Sequence, residues 1–227
     1  MGTTKKSTGR PGRPAASLER DARDLLLAAA AELFAEHGVA ATSFAMIAKR
    51  AGLTPAMVHY YFIDRGQLLD AVVEERIAPL IASVWGPVNA SDAPAEIIRG
   101  VVERMLGGIE KMPWIPSTWM REVLNEGGLL RSRVFRHLPF DKLKLLGKSV
   151  ARGQASKGIN PDLDPGLIVF STIGLVMLHV ATVRFWAEIF ESRPPGIEAL
   201  RLHITGLLLN GLHPEATARS VRRTRNK

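Results

Sequence analysis

The stretch from Gly38 to Leu68 constrains this chain more than any other. Thr42-Ser43 offers a helix start, followed by a short apolar-faced helix and a tight turn at Ala51-Gly52-Leu53. Thr54-Pro55 then opens a second short helix, with a hydroxyl at the cap and proline at its first position. Two short helices joined at a sharp angle by a glycine-containing turn form a unit whose second helix enters a DNA major groove while the first braces it. An aromatic run, His59-Tyr60-Tyr61-Phe62, closes the unit before another helix begins at Asp64.

These residues resemble the TetR (tetracycline-repressor) family of bacterial transcriptional regulators. The family signature runs from a threonine pair through Ile-Ala, Ala-Gly-Val/Leu and Ser/Thr to an aromatic run ending in Phe. Here it reads Thr42-Ser43, Ile47-Ala48, Ala51-Gly52-Leu53, Thr54-Pro55-Ala56 and Tyr60-Tyr61-Phe62. The match covers about residues 20 to 70. Two positions depart from it. His59 stands where the family has Tyr or Phe, and Ile63 where many members carry a phosphate-contacting Lys, whereas Arg65 matches the next basic position. The resemblance implies an all-α protein: an N-terminal three-helix helix-turn-helix DNA-binding head, then a larger helical domain for effector binding and dimerisation. No enzyme, no cofactor and no metal site is expected. The expected partners are a double-stranded, palindromic DNA operator, a second copy of the chain and a small-molecule effector, with no membrane and a cytoplasmic, nucleoid-associated location.

Composition agrees with that expectation. The chain has 227 residues, enough to bury a real core, and no cysteine, which removes disulfides, thiolate nucleophiles and Cys-based zinc sites. The first thirty residues lack the apolar run and cleavage site of a secretory leader. The net charge of +8 is concentrated at the two ends. Residues 1–14 carry Lys5, Lys6, Arg10 and Arg13 without an acid, and residues 215–227 carry Arg219, Arg222, Arg223, Arg225 and Lys227 against Glu215 alone. Basic tails of this kind suit a polyanion such as nucleic acid or acidic lipid, or simply keep the chain in solution.

Residues 1–17 read as a disordered basic arm in which Gly-Arg-Pro occurs twice, resembling the core of an AT-hook. Arg10 and Arg13 are its candidates for a narrow, electronegative minor groove. Residues 18–63 form the head, 64–212 the helical body and 213–227 a basic tail. The first helix spans about Leu18 to His37, with Leu26, Ala29, Ala30, Leu33, Phe34 and His37 on one face. A fourth helix, Asp64 to about Val84, links head to body, and further helices fall near 94–111, 116–125, 129–155, 163–191 and 195–212. Pro139 is placed to break the third of these. Gly166 to Val183 runs without a charge, so by length it could span a membrane, but Ser171, Thr172, His179 and Thr182 interrupt it. A helix apolar all round is buried on both sides. Its own core on one side and a second subunit on the other meet that requirement, with the last helix as its natural partner. The resemblance implies a four-helix bundle across a two-fold axis, with Gly174, Leu178, Ile204, Leu207, Leu208 and Gly211 at the interface.

No catalytic constellation stands out. The six histidines are scattered, and no Gly-x-Ser-x-Gly or phosphate-loop pattern occurs. In the head, Thr42 and Ser43 suit a phosphate oxygen at a helix N-terminus, or serve as caps alone. Lys49 and Arg65 suit phosphates, and Thr54, Ala56, Met57, His59 and Tyr60 are candidates to face base edges. Val58 and Phe62 point into the core, while Tyr61 is open to either core packing or a phosphate. In the body, Trp114, Trp119, Met120, Phe135, Met177, His179 and Trp186 supply surface for a small-molecule cavity, although each also suits ordinary packing. Residues 129–157 hold eight bases and one acid, which reads as a solvated face or an attraction for an acidic effector. The reading is a homodimeric regulator, a repressor released by its effector. Its rivals are an effector-independent architectural DNA binder and a membrane-associated interaction protein.

Overall fold

The computed structural model describes residues 15–214, with side chains from residue 21 onward. Those residues are helical throughout and contain no strand. The head comprises α1 (Ala15–His37), α2 (Phe44–Ala51) and α3 (Pro55–Tyr61). Leu26, Leu27, Ala30, Leu33 and Phe34 of α1 are buried with Ile47 and Ala48 of α2, Val58 of α3 and Phe62 beyond it. His37, expected on the same face, is exposed, because α1 ends there and Gly38 turns the chain away with φ +83°.

The expected linking helix is continuous in space but changes its winding. α4 (Arg65–Val72) passes into a π-turn at Val73–Ile77 and continues as α5 (Ala78–Trp85). Asp64 caps α4, accepting from the Gln67 N–H at 2.9 Å, while the Gln67 side chain accepts from the Ile63 N–H at 3.1 Å. This is a reciprocal cap of the capping-box kind, which fixes where the head stops and the body starts. The segment expected near 116–125 is a short α7 (Ile115–Thr118) followed by a second π-turn, Trp119–Val123. The segment expected over 129–155 is two helices, α8 (Arg131–Phe135) and α9 (Phe140–Ala155), parted at Pro139 as proline requires.

The body is organised around α6 (Pro94–Lys111), which buries Ile97, Ile98, Val101, Val102, Met105, Leu106 and Ile109. It packs against α5, α9, α10 (Pro165–Ile189) and α11 (Ile197–Leu212). The chief partner of α11 within the chain is therefore α6 and not α10, a correction to the pairing read from sequence. Leu200, Ile204, Leu208 and Leu212, four residues apart, make that inward stripe. Ile204 and Leu208, expected at a dimer interface, belong to the chain's own core instead.

α10 is half-covered. Asp164 caps its N-terminus through the Gly166 and Leu167 N–H groups, and Ile168, Val169, Thr172, Val176 and Met177 face inward. Leu167, Phe170, Gly174, Leu178 and Phe185 face out. Among the described residues it is the one helix long and apolar enough to cross a membrane, and only 28% of its most apolar window is buried within this chain.

Head and body share one continuous core, from Leu26 of α1 through Leu68, Leu69, Val72 and Val73 to Ile98 and Leu106 of α6. α1 touches α4 and also α7. Arg76 donates to the Asp24 carboxylate at 2.9 Å, and Arg23 pairs with Glu75, so ion pairs fasten the outside of the same junction.

Candidate functional site

The helix-turn-helix is set by three local devices. The Ser43 Oγ accepts from the Met46 N–H at 3.2 Å and starts α2. Gly52 ends α2 in the left-handed region, φ +69°, a conformation costly for a residue with a Cβ, and no other atom lies within 4 Å of where one would sit. Its N–H donates to Lys49, the Leu53 N–H donates to the Ala48 carbonyl at 2.9 Å, and the chain re-enters a helix at Pro55. Thr54 occupies the cap position of α3, yet its hydroxyl makes no capping bond, contrary to the sequence reading, and remains on the surface.

α3 is held from behind by Val58 and Phe62, both buried, as the sequence indicated. Its outer face presents Thr54, Ala56, His59 and Tyr60, with Met57 half-buried at the edge. Tyr60 is 71% exposed, and its ring meets that of Tyr61 edge-on at 5.0 Å. The His59 ring meets Phe44 at 5.0 Å, which orients the imidazole without covering it. Tyr61 is half-buried and packs against the core. Lys49 is exposed, Ser43 is exposed beyond its capping bond, and Arg65 is half-buried with Nη2 enclosed and unpaired among protein atoms. Ile63, a departure from the family pattern, is 78% exposed.

Thr42 requires a correction. It is buried, and its hydroxyl donates to the Gly38 carbonyl at 2.8 Å, so the side chain closes the α1–α2 turn and faces no phosphate. Arg50, beside Lys49, is committed to Glu36 and Glu32 of α1. Hydrogen bonding from Arg50 holds the Glu36 carboxyl below its ordinary range, and the same bonds raise Arg50 further. Arg50 thus clamps α2 to α1 and leaves Lys49 as the neighbouring cation on that surface. Arg10 and Arg13 lie outside the described residues.

The body residues proposed for a cavity do not converge. Trp119 and Met177 line a partly open apolar slot of about 60 Å³ between α5, α6, α7 and α10. Trp114 instead lines an open groove beside α1. Met120 and Phe135 are exposed, Phe135 lying beneath the Arg131 guanidinium at 5.0 Å. His179 and Trp186 flank a separate cleft near the end of α10. The slot's remaining walls are mostly aliphatic residues that sequence reasoning passed over, among them Ile77, Leu80, Ile109 and Ile173, together with Trp85, Met105 and Thr118. Apolar helical residues carry no sign of whether they meet a neighbour or a void.

Glu122 joins head and body, and spacing gave no hint of it. It sits in the second π-turn, 6% exposed. One carboxylate oxygen accepts from the Val39 N–H in the head at 2.8 Å, and the other accepts from the Leu129 N–H in the body at 3.1 Å. A Cβ on Gly38 would lie 3.3 Å from that carboxylate, so the head's first turn abuts the π-turn closely. Trp119 and Val123 of the same turn line the slot. One short segment therefore touches both the cavity and the head.

Residues 26–72 match the family model for bacterial regulatory proteins of the tetR family. The head is thus similar to the DNA-binding segment of tetR-family regulators. A curated relative, the HTH-type transcriptional regulator BetI of Rhizobium meliloti, is 25% identical over 107 residues, 47% of this chain and 53% of that protein. The chain thus spans about half the length of the curated relatives it matches. The ketosteroid transcriptional regulator KstR2 of Mycobacterium tuberculosis shares the fold with TM-score 0.66 and 22% identity, over 84% of this chain and 94% of that one. The transcriptional regulator FadR of Bacillus subtilis, solved with stearoyl-CoA, superimposes with TM-score 0.60 and 20% identity, over 84% of this chain and all of its own. The likeness of fold to these regulators accordingly extends through the body.

Proposed function

We propose that this chain is a homodimeric, sequence-specific DNA-binding transcriptional regulator of the TetR family, a repressor that leaves its operator when a small molecule occupies the body. The outer row of α3 carries the reading. Thr54, Ala56, His59 and Tyr60 stand exposed on a helix whose back is fixed by Val58 and Phe62. Such a row offers hydroxyl and ring-nitrogen groups to base edges and apolar surface to thymine methyls. Ser43, Lys49 and Arg65 flank it as phosphate contacts, and Arg10 and Arg13 extend the contact toward a minor groove. Two heads about 34–36 Å apart reach successive major grooves, which makes the operator two-fold symmetric.

The outward apolar face of α10, with Leu207 of α11 beside it, is the surface assigned to the second copy. A helix of this length and apolarity, left half-covered by its own chain, is stable in water when a partner covers it. Gly174 and Gly211 allow close approach there. The body, residues 64–212, holds the effector, and the basic arm and tail strengthen the hold on DNA in the bacterial cytoplasm. The likeness to KstR2 and to FadR with stearoyl-CoA supports ligand control of this fold.

The test is selection of a preferred site from random duplexes, followed by titration of variants. His59→Ala and Tyr60→Ala should each weaken binding to the selected site by about 1–3 kcal/mol, with less loss on unrelated DNA. Wild-type affinity in both variants would remove α3 as the reading helix.

A further inference from the structure

Thr118 sits in the wall of the apolar slot, 1% exposed, and its hydroxyl has no hydrogen-bond partner in the protein. Threonines on helices ordinarily return the hydroxyl to the carbonyl four residues back. Thr172 does so to Ile168 at 2.8 Å and Thr182 to Leu178 at 2.7 Å. Thr118 does not. Valine would fill the same space without leaving a polar group unpaired. Water is a poor occupant, since an ordered water needs two to four polar partners and this wall is almost entirely hydrocarbon. Apart from the indoles of Trp85 and Trp119, Thr118 is the only polar side chain among the described residues lining the slot, and none of them is ionisable.

We propose that the slot takes an uncharged, hydrocarbon-rich molecule bearing one oxygen that pairs with the Thr118 hydroxyl. The inference rests on the reading of the body as the effector domain and specifies the effector's chemistry. A carboxylate or ammonium would be buried there without a counter-charge, which is strongly unfavourable. At about 60 Å³ the slot is well below the size of a typical ligand pocket, so the ligand must widen it. The walls best suited to yield are the two π-turns, which contribute Ile77, Trp119 and Val123. Single π-turns within helices recur at functional sites.

The test uses the full chain without DNA and three probes of equal chain length, 1-octanol, 2-octanone and octanoate at pH 7.5. Binding is read from tryptophan emission, because Trp85 and Trp119 line the slot. Octanol and octanone should bind saturably, and octanoate at least tenfold more weakly. Thr118→Val should weaken octanol about three- to tenfold, as loss of one hydrogen bond does, while Thr118→Ser keeps it close to wild type. Thr118→Val should also melt no lower than the wild-type chain, which separates lost binding from lost folding. The proposal is overturned by octanoate binding as well as octanol, by equal octanol affinity in the Val and Ser variants, or by no saturable octanol binding. Octanol that binds as stated but leaves DNA affinity unchanged would remove the effector reading alone. Release of DNA by a charged compound indifferent to both variants would remove this one alone.

Discussion

Glu122→Gln tests whether the second π-turn carries the signal between cavity and head. The wild-type carboxylate accepts two backbone N–H groups, Val39 at 2.8 Å and Leu129 at 3.1 Å, and Val39 is fully buried. Glutamine keeps one acceptor oxygen and turns an NH2 group toward the second donor, so one N–H loses its partner. A buried unpaired donor costs about 1–3 kcal/mol, and part is offset because a neutral amide is easier to bury than a carboxylate. We expect a net loss of about 1–2 kcal/mol in urea unfolding, with the slope unchanged. Glu122→Ala strands both donors and should lose about 2–4 kcal/mol. Hydrogen exchange at the Val39 amide should speed up in both variants, since its protection comes through that acceptor. Operator binding by folded Glu122→Gln should persist, while the drop in affinity caused by effector shrinks. Unchanged stability, unchanged Val39 exchange and an undiminished effector response would together refute the assigned role.

Two further outcomes check the other surfaces. Phe170→Glu or Leu207→Arg places a charge on the outward faces of α10 and α11, and sedimentation should show folded monomer, whereas Ile204→Asp buries a charge in the chain's own core and should unfold it. Deleting residues 1–14 should weaken DNA binding and lower the slope of log affinity against log salt by roughly 0.9 for each phosphate the arm no longer neutralises, with a greater effect on sites with A·T-rich flanks.

How legible each part was follows from how local its cause is. The helix-turn-helix could be read because its devices are single residues at fixed offsets: Ser43 as cap, Gly52 at positive φ, Pro55 at a first turn. α6 could be read to the residue because Pro94 starts it and its apolar spacing is helical. The π-turns could not, since Val73–Ile77 and Trp119–Val123 carry ordinary helix-forming side chains and their widening depends on packing against other helices. The dimer candidates split for a related reason. On α11 the apolar residues lie on two sides, and only the neighbouring α6 decides that Ile204 and Leu208 face in while Leu207 faces out. The aromatic residues misled the cavity reading because bulk attracts notice, whereas the slot is mostly Ile and Leu. Thr42 misled because a hydroxyl at a helix start suits phosphate and turn closure equally. The Gly38 carbonyl, within reach at 2.8 Å, decides for closure.

The attachments between head and body differ in what they can transmit. The ion pairs Arg76–Asp24 and Arg23–Glu75 are partly exposed, and pairs of that kind contribute about 0–1 kcal/mol and tolerate movement. The shared core of α1 and α4 is worth far more, but it resists small displacements, since packed interiors do not deform smoothly. The Glu122 clasp is a discrete bond that can open, and it is adjacent to the slot: a hydrogen bond to a charged acceptor contributes about 1.5–3 kcal/mol, and its turn supplies Trp119 and Val123 to the cavity wall. Effector coupling in proteins is typically about 1–3 kcal/mol. A ligand that widens the slot and takes away half of one clasp in each of two protomers falls in that range. No wholesale rearrangement of the body is then required. In the proposed dimer, a Gly38–Val39 turn released from Glu122 would change the seat of α1, and with it the spacing of two heads set to match one turn of DNA.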